Sequence, residues 1–428
     1  MIELSSVSYE QRIKIARHCE PFFLVYKKLD ILRSSYTMLD SFLTKEQSKL
    51  YEKELWTLVS ATSQTVKYDN KYCQITLNKN NYPTANKITN KKISCKRMRE
   101  LLTIFEDLKL LTVYKGYHFH NSVHSGIAKG MSSCIEFSSE WLSMFNILLC
   151  KKYGTARDFE LVILKDDKGT ILPTKGLRGI GKEKAFMKAM NNQVSSTKIT
   201  IDGELVHPLY TTVFNGDLKS SGRIYGGSFS TEPSHLRSTI TINDHPTCEV
   251  DYKNNHIRIL YNKYGIDYQE DAYSIPLQDG WDPKEQRRLT KKAMLACLNA
   301  TSRPIAIKAL NLELRKGDYT TIPRKNGCSS KASHTIVDLL IERHPLIAKN
   351  HFFKGEWKML QNIDSMMAKH VIKAFFVQGI TCLPYHDSFV VESNHLNSLT
   401  VYMKEAWEMV LGDSKGFGFD IEYDSGAV

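Results

Sequence analysis

The stretch Thr247-Cys-Glu-Val-Asp251-Tyr252, running on into Lys253-Asn-Asn-His256-Ile-Arg258, decides how the rest of the chain is read. Its apolar and polar residues alternate with the period of a strand, and the strand ends on a carboxylate, Asp251. A polar segment follows at once. This predicts a buried strand that delivers an acid to the edge of a cleft, then a turn or helix start. A second strand of the same kind lies far downstream, in Ile380-Thr-Cys-Leu-Pro-Tyr-His386-Asp387-Ser388-Phe-Val-Val391. Between the two lies a helix with cations on one face, Arg287-Arg-Leu-Thr-Lys291-Lys. Two strand-borne acids and a cationic helix suit a site acting on a triphosphate. In such sites paired carboxylates hold two cations about 3.5–4 Å apart, which stabilise the attacking and leaving oxygens.

The bulk composition agrees with a polyanionic partner. The chain has 428 residues, 42% of them hydrophobic, and a net charge of +12. That length predicts two or three domains, and that charge favours nucleic acid. The nine cysteines are an odd number without a Cys-x-x-Cys pair, and most sit in apolar runs, as Cys150, Cys297 and Cys382 do. This is reduced, core-filling usage, so neither zinc nor disulfides are expected and a cytoplasmic setting is. Met-Ile-Glu-Leu-Ser-Ser at the start has no basic run before an apolar core, so no signal peptide is expected. No apolar stretch approaches the roughly 18 residues of a membrane span.

Upstream of the acids the chain reads in three parts. Ser8 precedes an amphipathic helix, and helical periodicity continues over residues 21–60; residues 61–90 are polar. Met98, Leu101, Leu102 and Phe105 then form a helical stripe, with Lys96, Arg97 and Arg99 pointing elsewhere. A hairpin is expected within Leu110–Phe119. Helix plus basic-tipped hairpin resembles a winged helix–turn–helix, which would place Lys91, Lys92, Lys96, Arg97 and Arg99 on nucleic-acid backbone. The alternative is a basic solvated helix beside a hairpin that serves only packing. Gly176-Leu-Arg-Gly-Ile-Gly-Lys182 fits the spacing of a phosphate loop. Glu183 stands where a magnesium-binding hydroxyl belongs, so this is read as a basic loop. The Lys-rich helix from Lys182 to about Asn192 suits half of a thumb-like arm. Phe214 to Gly227 reads as a Gly-rich element from which Arg223 projects.

From Asp251 onward the reading is α+β, with helices over about 254–264, 284–300, 302–315, 331–342, 357–378 and 396–411. On the second of these, Arg287, Lys291, Leu295 and Asn299 are spaced by four, an advance of about 400°, so they share one slowly drifting face. Together the three segments resemble the polymerase module of family A DNA polymerases, the DNA polymerase I type, and of their relatives the phage single-subunit RNA polymerases. Asp251 and Arg258 match motif A, Arg287 and Lys291 match motif B, and His386-Asp387-Ser388 matches motif C. Leu360-Gln361-Asn-Ile-Asp-Ser365 and the Gly-Arg223 element are also similar to the family. The resemblance covers about residues 210–428.

The resemblance implies a right-hand polymerase of palm, fingers and thumb behind a mainly helical, winged-helix-like N-terminal domain. The expected divisions are 1–130 for that domain, 131–220 for a thumb-like or connecting region, and 221–428 for palm and fingers. It implies template-directed nucleotidyl transfer, most closely that of a DNA-directed DNA polymerase without proofreading, in a bacterial or phage-infected cell. Asp251, Asp387 and the Tyr252 carbonyl would hold two Mg²⁺, with Mn²⁺ an alternative. Arg287, Lys291, Arg258, His256, Leu295 and Asn299 would face the nucleoside triphosphate. Arg223, Gln361 and His386 would meet a DNA primer–template. Three departures bear on sugar choice. His256 stands where the family's DNA polymerases carry a Glu that blocks a ribose 2′-hydroxyl, Leu295 and Asn299-Ala300 replace the motif B aromatics, and Ser388 follows the motif C acid as in the RNA polymerases. A primase or RNA polymerase is therefore one alternative, and a DNA-binding replication initiator with a degenerate polymerase part is another.

Overall fold

The computed structural model describes the chain except residues 21–29, 68–69, 80–81, 83–92, 119–129, 154–160, 227–228, 231, 233, 317–318, 323–329 and 427–428. Among the described residues it is a mixed helix-and-sheet protein with two large cores. One core is built from residues between Leu32 and Cys150. The other runs from Val162 to Trp407. The two cores part between Cys150 and Val162.

The N-terminal part holds β1 (Ile2–Glu3), α1 (Tyr9–His18), β2 (Cys19–Glu20), α2 (Arg33–Asp40), α3 (Lys45–Lys67), β3 (Tyr72–Gln74), α4 (Cys95–Asp107), β4 (Leu111–Lys115) and β5 (Cys134–Phe137). Ser8 caps α1 as expected, its hydroxyl accepting from the Gln11 N–H at 3.2 Å. The α3 helix extends past residue 60 into a stretch whose polarity suggests a loop. Thr62 and Thr65 are buried there, but their hydroxyls donate to the Leu58 and Ala61 carbonyls at 2.9 Å, so the helix itself satisfies them. The Thr62 hydroxyl also accepts from the Trp141 indole at 2.9 Å.

On α4 the stripe Met98, Leu101, Leu102 and Phe105 is buried, as the spacing predicts. The expected hairpin within Leu110–Phe119 does not form among the described residues. Strand β4 instead pairs antiparallel with β5, across a long connection, in a sheet ordered β1-β4-β5-β3-β2. Gly116 keeps the chain tight at the end of β4, since a Cβ there would sit 2.3 Å from the Met131 carbonyl oxygen. The alternation in 111–119 is real, but its partner strand is distant in sequence, which no local pattern reveals.

The middle of the chain supplies β6 (Val162–Lys165), β7 (Ile171–Leu172), α5 (Ile180–Ser196), β8 (Ile199–Ile201), β9 (Glu204–Val206), β10 (Thr211–Asn215) and β11 (Ser221–Tyr225). One sheet runs β11-β10-β6-β7. The would-be phosphate loop leads into α5 through Gly179 at φ 91°. The helix buries Met187, Met190 and Val194, and Glu183 pairs with Lys369 at 2.7 Å. So α5 is anchored along one side to the C-terminal part.

The remainder includes β12 (Thr241–Ile242), β13 (His245–Tyr252), α6 (Asn255–Asn262), α7 (Pro283–Asn299), α8 (Arg303–Lys316), α9 (Ser330–Arg343), α10 (Trp357–Phe376), β14 (Leu383–Tyr385), β15 (Ser388–Glu392), α11 (Leu396–Leu411) and β16 (Phe419–Asp424). All six helices read from periodicity are present within two residues of the predicted ends. The sheet runs β9-β8-β12-β13-β15-β14, with β16 beside β13. The β13 strand is its centre, flanked along most of its length by β15 and β16, and every residue from Thr247 to Val250 is buried. Helix α11 covers it, the Tyr252 hydroxyl donating to the Met403 carbonyl at 2.7 Å.

Candidate active site

The register of β13 against β15 assembles the site. Asp251 lies opposite Ser388, so Asp387, at the tip of the β14–β15 hairpin, is its diagonal neighbour. The Tyr252 N–H donates to the Asp387 carbonyl at 3.2 Å and ties the tip to the strand end. His386 holds the left-handed conformation that turns the hairpin, at φ 67°. Two acids far apart in sequence are thereby placed side by side on a rigid sheet edge.

The electrostatics of that pair are uncompensated. One carboxylate oxygen of Asp251 is buried and has no hydrogen-bond partner among the described residues. Burial first, then the neighbouring charge of Asp387, push the Asp251 carboxyl well above the usual carboxylate range, while Lys291 pulls it the other way. A buried, unpaired carboxylate oxygen beside a second acid fits a divalent cation. Among the described residues no group of three or more His, Cys, Asp or Glu side chains is arranged as a metal site, so the pair itself, with backbone oxygen, would have to serve.

The row beneath the pair is a different matter. Glu249, two residues back on the same face of β13, is buried, but it accepts from Arg237 at 2.9 Å and from the Ser388 hydroxyl at 2.7 Å. Ser388 therefore points down to Glu249 instead of up to a substrate.

The cationic helix lies where its spacing predicts. Leu289, Ala293, Met294 and Cys297 of α7 face the core, while Arg287 and Lys291 are exposed, Leu295 is half-buried and Asn299 is exposed. The Arg287 guanidinium makes two bonds to Asp271, at 2.6 and 3.3 Å. Tyr273, from the same loop, lies under both cations: the Arg287 guanidinium carbon is 5.5 Å and Lys291 Nζ 5.9 Å from its ring centre. Burial, then the charge of Asp387, raise the Tyr273 phenol pKa. The buried ring thus packs under both cations and feels the charge of the acid pair. Asp271 and Tyr273 sit in irregular structure between α6 and α7, where no periodicity marks them.

Several predicted contacts take other roles. Arg258 is 1% exposed; it donates to the Gln269 side chain, the Gly416 carbonyl and the Gln269 carbonyl at 3.0–3.1 Å, and so fastens the chain leading into β16. Its spacing from Asp251 puts it on the buried face of α6, where the chain's own carbonyls hold it. Arg223 is bonded to Asp364 at 2.6 Å and His256 to the same carboxylate oxygen at 2.8 Å. Gln361 accepts from the Ser221 hydroxyl at 2.7 Å, one turn along α10 from Asp364. His386 packs edge-on against Tyr225, with ring centres 5.3 Å apart, and its Nδ1 is buried without a partner. Burial and the charge of Arg223 lower its pKa and keep the ring neutral. On α4, Lys96 and Arg97 are exposed, and Arg99 donates to the Leu77 carbonyl. Lys91 and Lys92 lie outside the described residues.

Asp364 is the residue sequence reasoning missed. It lies within the segment Leu360–Ser365 whose likeness to the family draws the eye to Gln361. The available signal was a lone acid on a helix otherwise burying Leu360, Met367, Ala368 and Val371.

No known family's sequence pattern matches this chain, and no curated protein matches it either. Among solved structures, it is similar to the polymerase domain of Pol1 from M. smegmatis, in complex with DNA primer–template and dNTP. That match spans 96% of this chain and 69% of that one, at 10% identity and a TM-score of 0.29. No described helix is long and apolar enough to cross a membrane.

Proposed function

We propose that the chain is a template-directed nucleotidyltransferase, a DNA-directed DNA polymerase in its preferred use. The observation that carries this is the acid pair: Asp251, with a buried carboxylate oxygen that has no partner among the described residues, set against Asp387 by strand register, with the charge of Lys291 acting on it.

Asp251 and Asp387 would hold divalent cations, Mg²⁺ in the first instance, with the Tyr252 carbonyl as a further ligand. When bound, such cations offset charge on the transferring phosphate and lower the pKa of the attacking hydroxyl. The chain's own part is electrostatic and geometric. Arg287 and Lys291, one turn apart, face the β- and γ-phosphates of the nucleotide. A triphosphate would compete with Asp271 for Arg287, and among the described residues Lys291 has no such partner. Leu295 and Asn299 extend the same face toward the base. Tyr273, packed under both cations, would border the sugar and α-phosphate. His386, held neutral, meets the primer end. Gln361 and the basic side of α5 lie along the duplex, where phosphate contacts position without specifying. Lys96 and Arg97 form a separate backbone-binding face.

The test is extension of a primed template by the purified protein, with dNTPs and NTPs in parallel and Mg²⁺ or Mn²⁺ present. Extension with dNTPs is expected. Extension only with NTPs would make the chain a primase or RNA polymerase, and extension with neither, alongside intact DNA binding, would make it a binding protein with a polymerase-like part.

A further inference from the structure

A groove of about 450 Å³ lies between α8 and the beginning of α9, and neither acid of the pair nor any residue of α7 lines it. Its basic wall comes from α8. Lys308 and Arg315 stand seven residues apart, an advance of about 700°, so they fall within about 20° of each other and form one row roughly 10 Å long. Both are exposed, and among the described residues neither has a carboxylate partner. Arg303 closes one edge. Its Nη2 donates to Asp338 of α9 at 2.6 Å, and its Nε is buried with no partner among the described residues. The Asn311 carbonyl accepts from the Ser333 hydroxyl at 2.7 Å, which leaves its amide N–H₂ to donate elsewhere. His334 of α9 faces this wall from the other side. Among the described residues no Asp or Glu lines the groove, since Asp338 stays on the rim with 59% of its side chain exposed. The floor is aliphatic: Ile307 is 5% exposed, and Leu312 leaves 43% of its surface open.

A row of basic side chains on a convex helix face is ordinarily no more than a solvated surface. This row borders a hollow, its cations lack acids, and apolar surface lies beside them. From Arg303 to Arg315 the wall runs about 18 Å along the helix axis, more than a single phosphate can span. A chain of phosphates can follow it. The aliphatic floor would cover the sugars and bases of an unpaired strand, whereas a duplex keeps its bases stacked inside. The net charge of +12 draws such a polyanion. We propose that the α8–α9 groove binds single-stranded nucleic acid by its phosphate backbone. Base sequence should matter little, because the polar groups on offer are donors suited to phosphate, and among the described residues His334 is the one ring able to stack on a base. The inference goes beyond nucleotidyl transfer and does not depend on the acid pair.

The experiment follows the fluorescence anisotropy of labelled oligo-dT and of a blunt hairpin duplex. It compares wild type, Lys308→Glu/Arg315→Glu, the same two positions changed to Ala, and Lys45→Glu/Lys49→Glu on α3, which alters net charge equally in the other core. Reversing the groove charges should weaken oligo-dT binding by roughly tenfold or more. It should also flatten the salt dependence by about 1.4 log units, at about 0.7 for each of two single-strand phosphate contacts. The Ala pair should show the same flattening with a smaller loss of affinity, and it carries the comparison if the Glu pair does not fold. Blunt-duplex binding by the groove variants, and oligo-dT binding by the α3 variant, should stay within about twofold of wild type. Unchanged oligo-dT binding in the groove variants overturns the proposal. Equal losses for the two DNAs, or an equal loss in the α3 variant, do so as well, because they mark a general charge effect. A glutamate-rich peptide that displaces oligo-dT as well as unlabelled oligo-dT does would make the groove a protein-docking site instead. Asp387→Asn should bind oligo-dT like wild type, so a chain that extends no primer still leaves the groove open to this test.

Discussion

Asp251 and Asp364 are both largely withdrawn from water, and His386 lies close enough to feel Asp364 and Asp387 together. Asp364 has three donors on two oxygens and a carboxyl held below the usual range: burial opposes ionisation, but His256 and Arg223 overcome it. Asp251 has an oxygen with no partner, a second acid beside it, and a carboxyl held above the usual range. The same residue type is thus finished in one place and left incomplete in the other. A protein interior rarely tolerates an unpaired carboxylate unless a cation belongs there. The first acid is satisfied by the chain's own donors, and under the proposed function a cation would satisfy the second.

The sharpest way to break that contrast is to remove an acid from the incomplete site. Asp387→Asn should lower nucleotide addition by about a thousandfold or more, because several kcal/mol of charge stabilisation are lost. Binding to duplex DNA should stay within about twofold by fluorescence anisotropy. Extension near the wild-type rate would separate this acid from the chemistry.

Removing the finished acid should act on stability instead. Asp364→Ala leaves an arginine and a histidine buried against each other, and a loss of about 3–5 kcal/mol is expected in urea unfolding. A loss under about 1 kcal/mol would mean that the cluster is looser than its distances imply.

The opposite sign is expected at Asp251. Its folded carboxyl titrates above its unfolded value, so the native state holds the extra proton between the two. Stability in chelator should therefore fall as pH rises through that window. Asp251→Asn should flatten the fall and raise the stability of the cation-free protein at neutral pH by on the order of 1 kcal/mol. A destabilised Asn variant would show that Asp251 is already satisfied. The smallest effect belongs to the N-terminal part. Changing Lys96 and Arg97 to Ala should flatten the salt dependence of DNA binding by about 0.9 log units per lost phosphate contact. An unchanged slope would assign α4 to packing.

The C-terminal half was legible from sequence because its signals are local. Alternation ending in Asp251, the four-residue spacing from Arg287 to Asn299 and the His386-Asp387 turn each announce an element and a face. What escaped notice depends on contacts across the fold. Arg258 and His256 are two residues apart on α6, and only packing reveals that one is buried against the Gly416 and Gln269 carbonyls while the other meets Asp364. The pairing of β4 with β5 spans a long connection, and the buried hydroxyls of α3 hide a helix inside polar composition. Asp271 and Tyr273 sit in irregular structure, where no period exists to read.

The most direct test of the central claim asks whether the acid pair is a divalent-cation site. Thermal unfolding of wild type, Asp251→Asn and Asp364→Glu is followed while Mg²⁺ or Mn²⁺ is titrated into chelated protein. The account predicts a saturable rise in the wild-type midpoint, the same rise in Asp364→Glu, and none in Asp251→Asn. An equal rise in wild type and Asp251→Asn, or no rise in wild type, would contradict it.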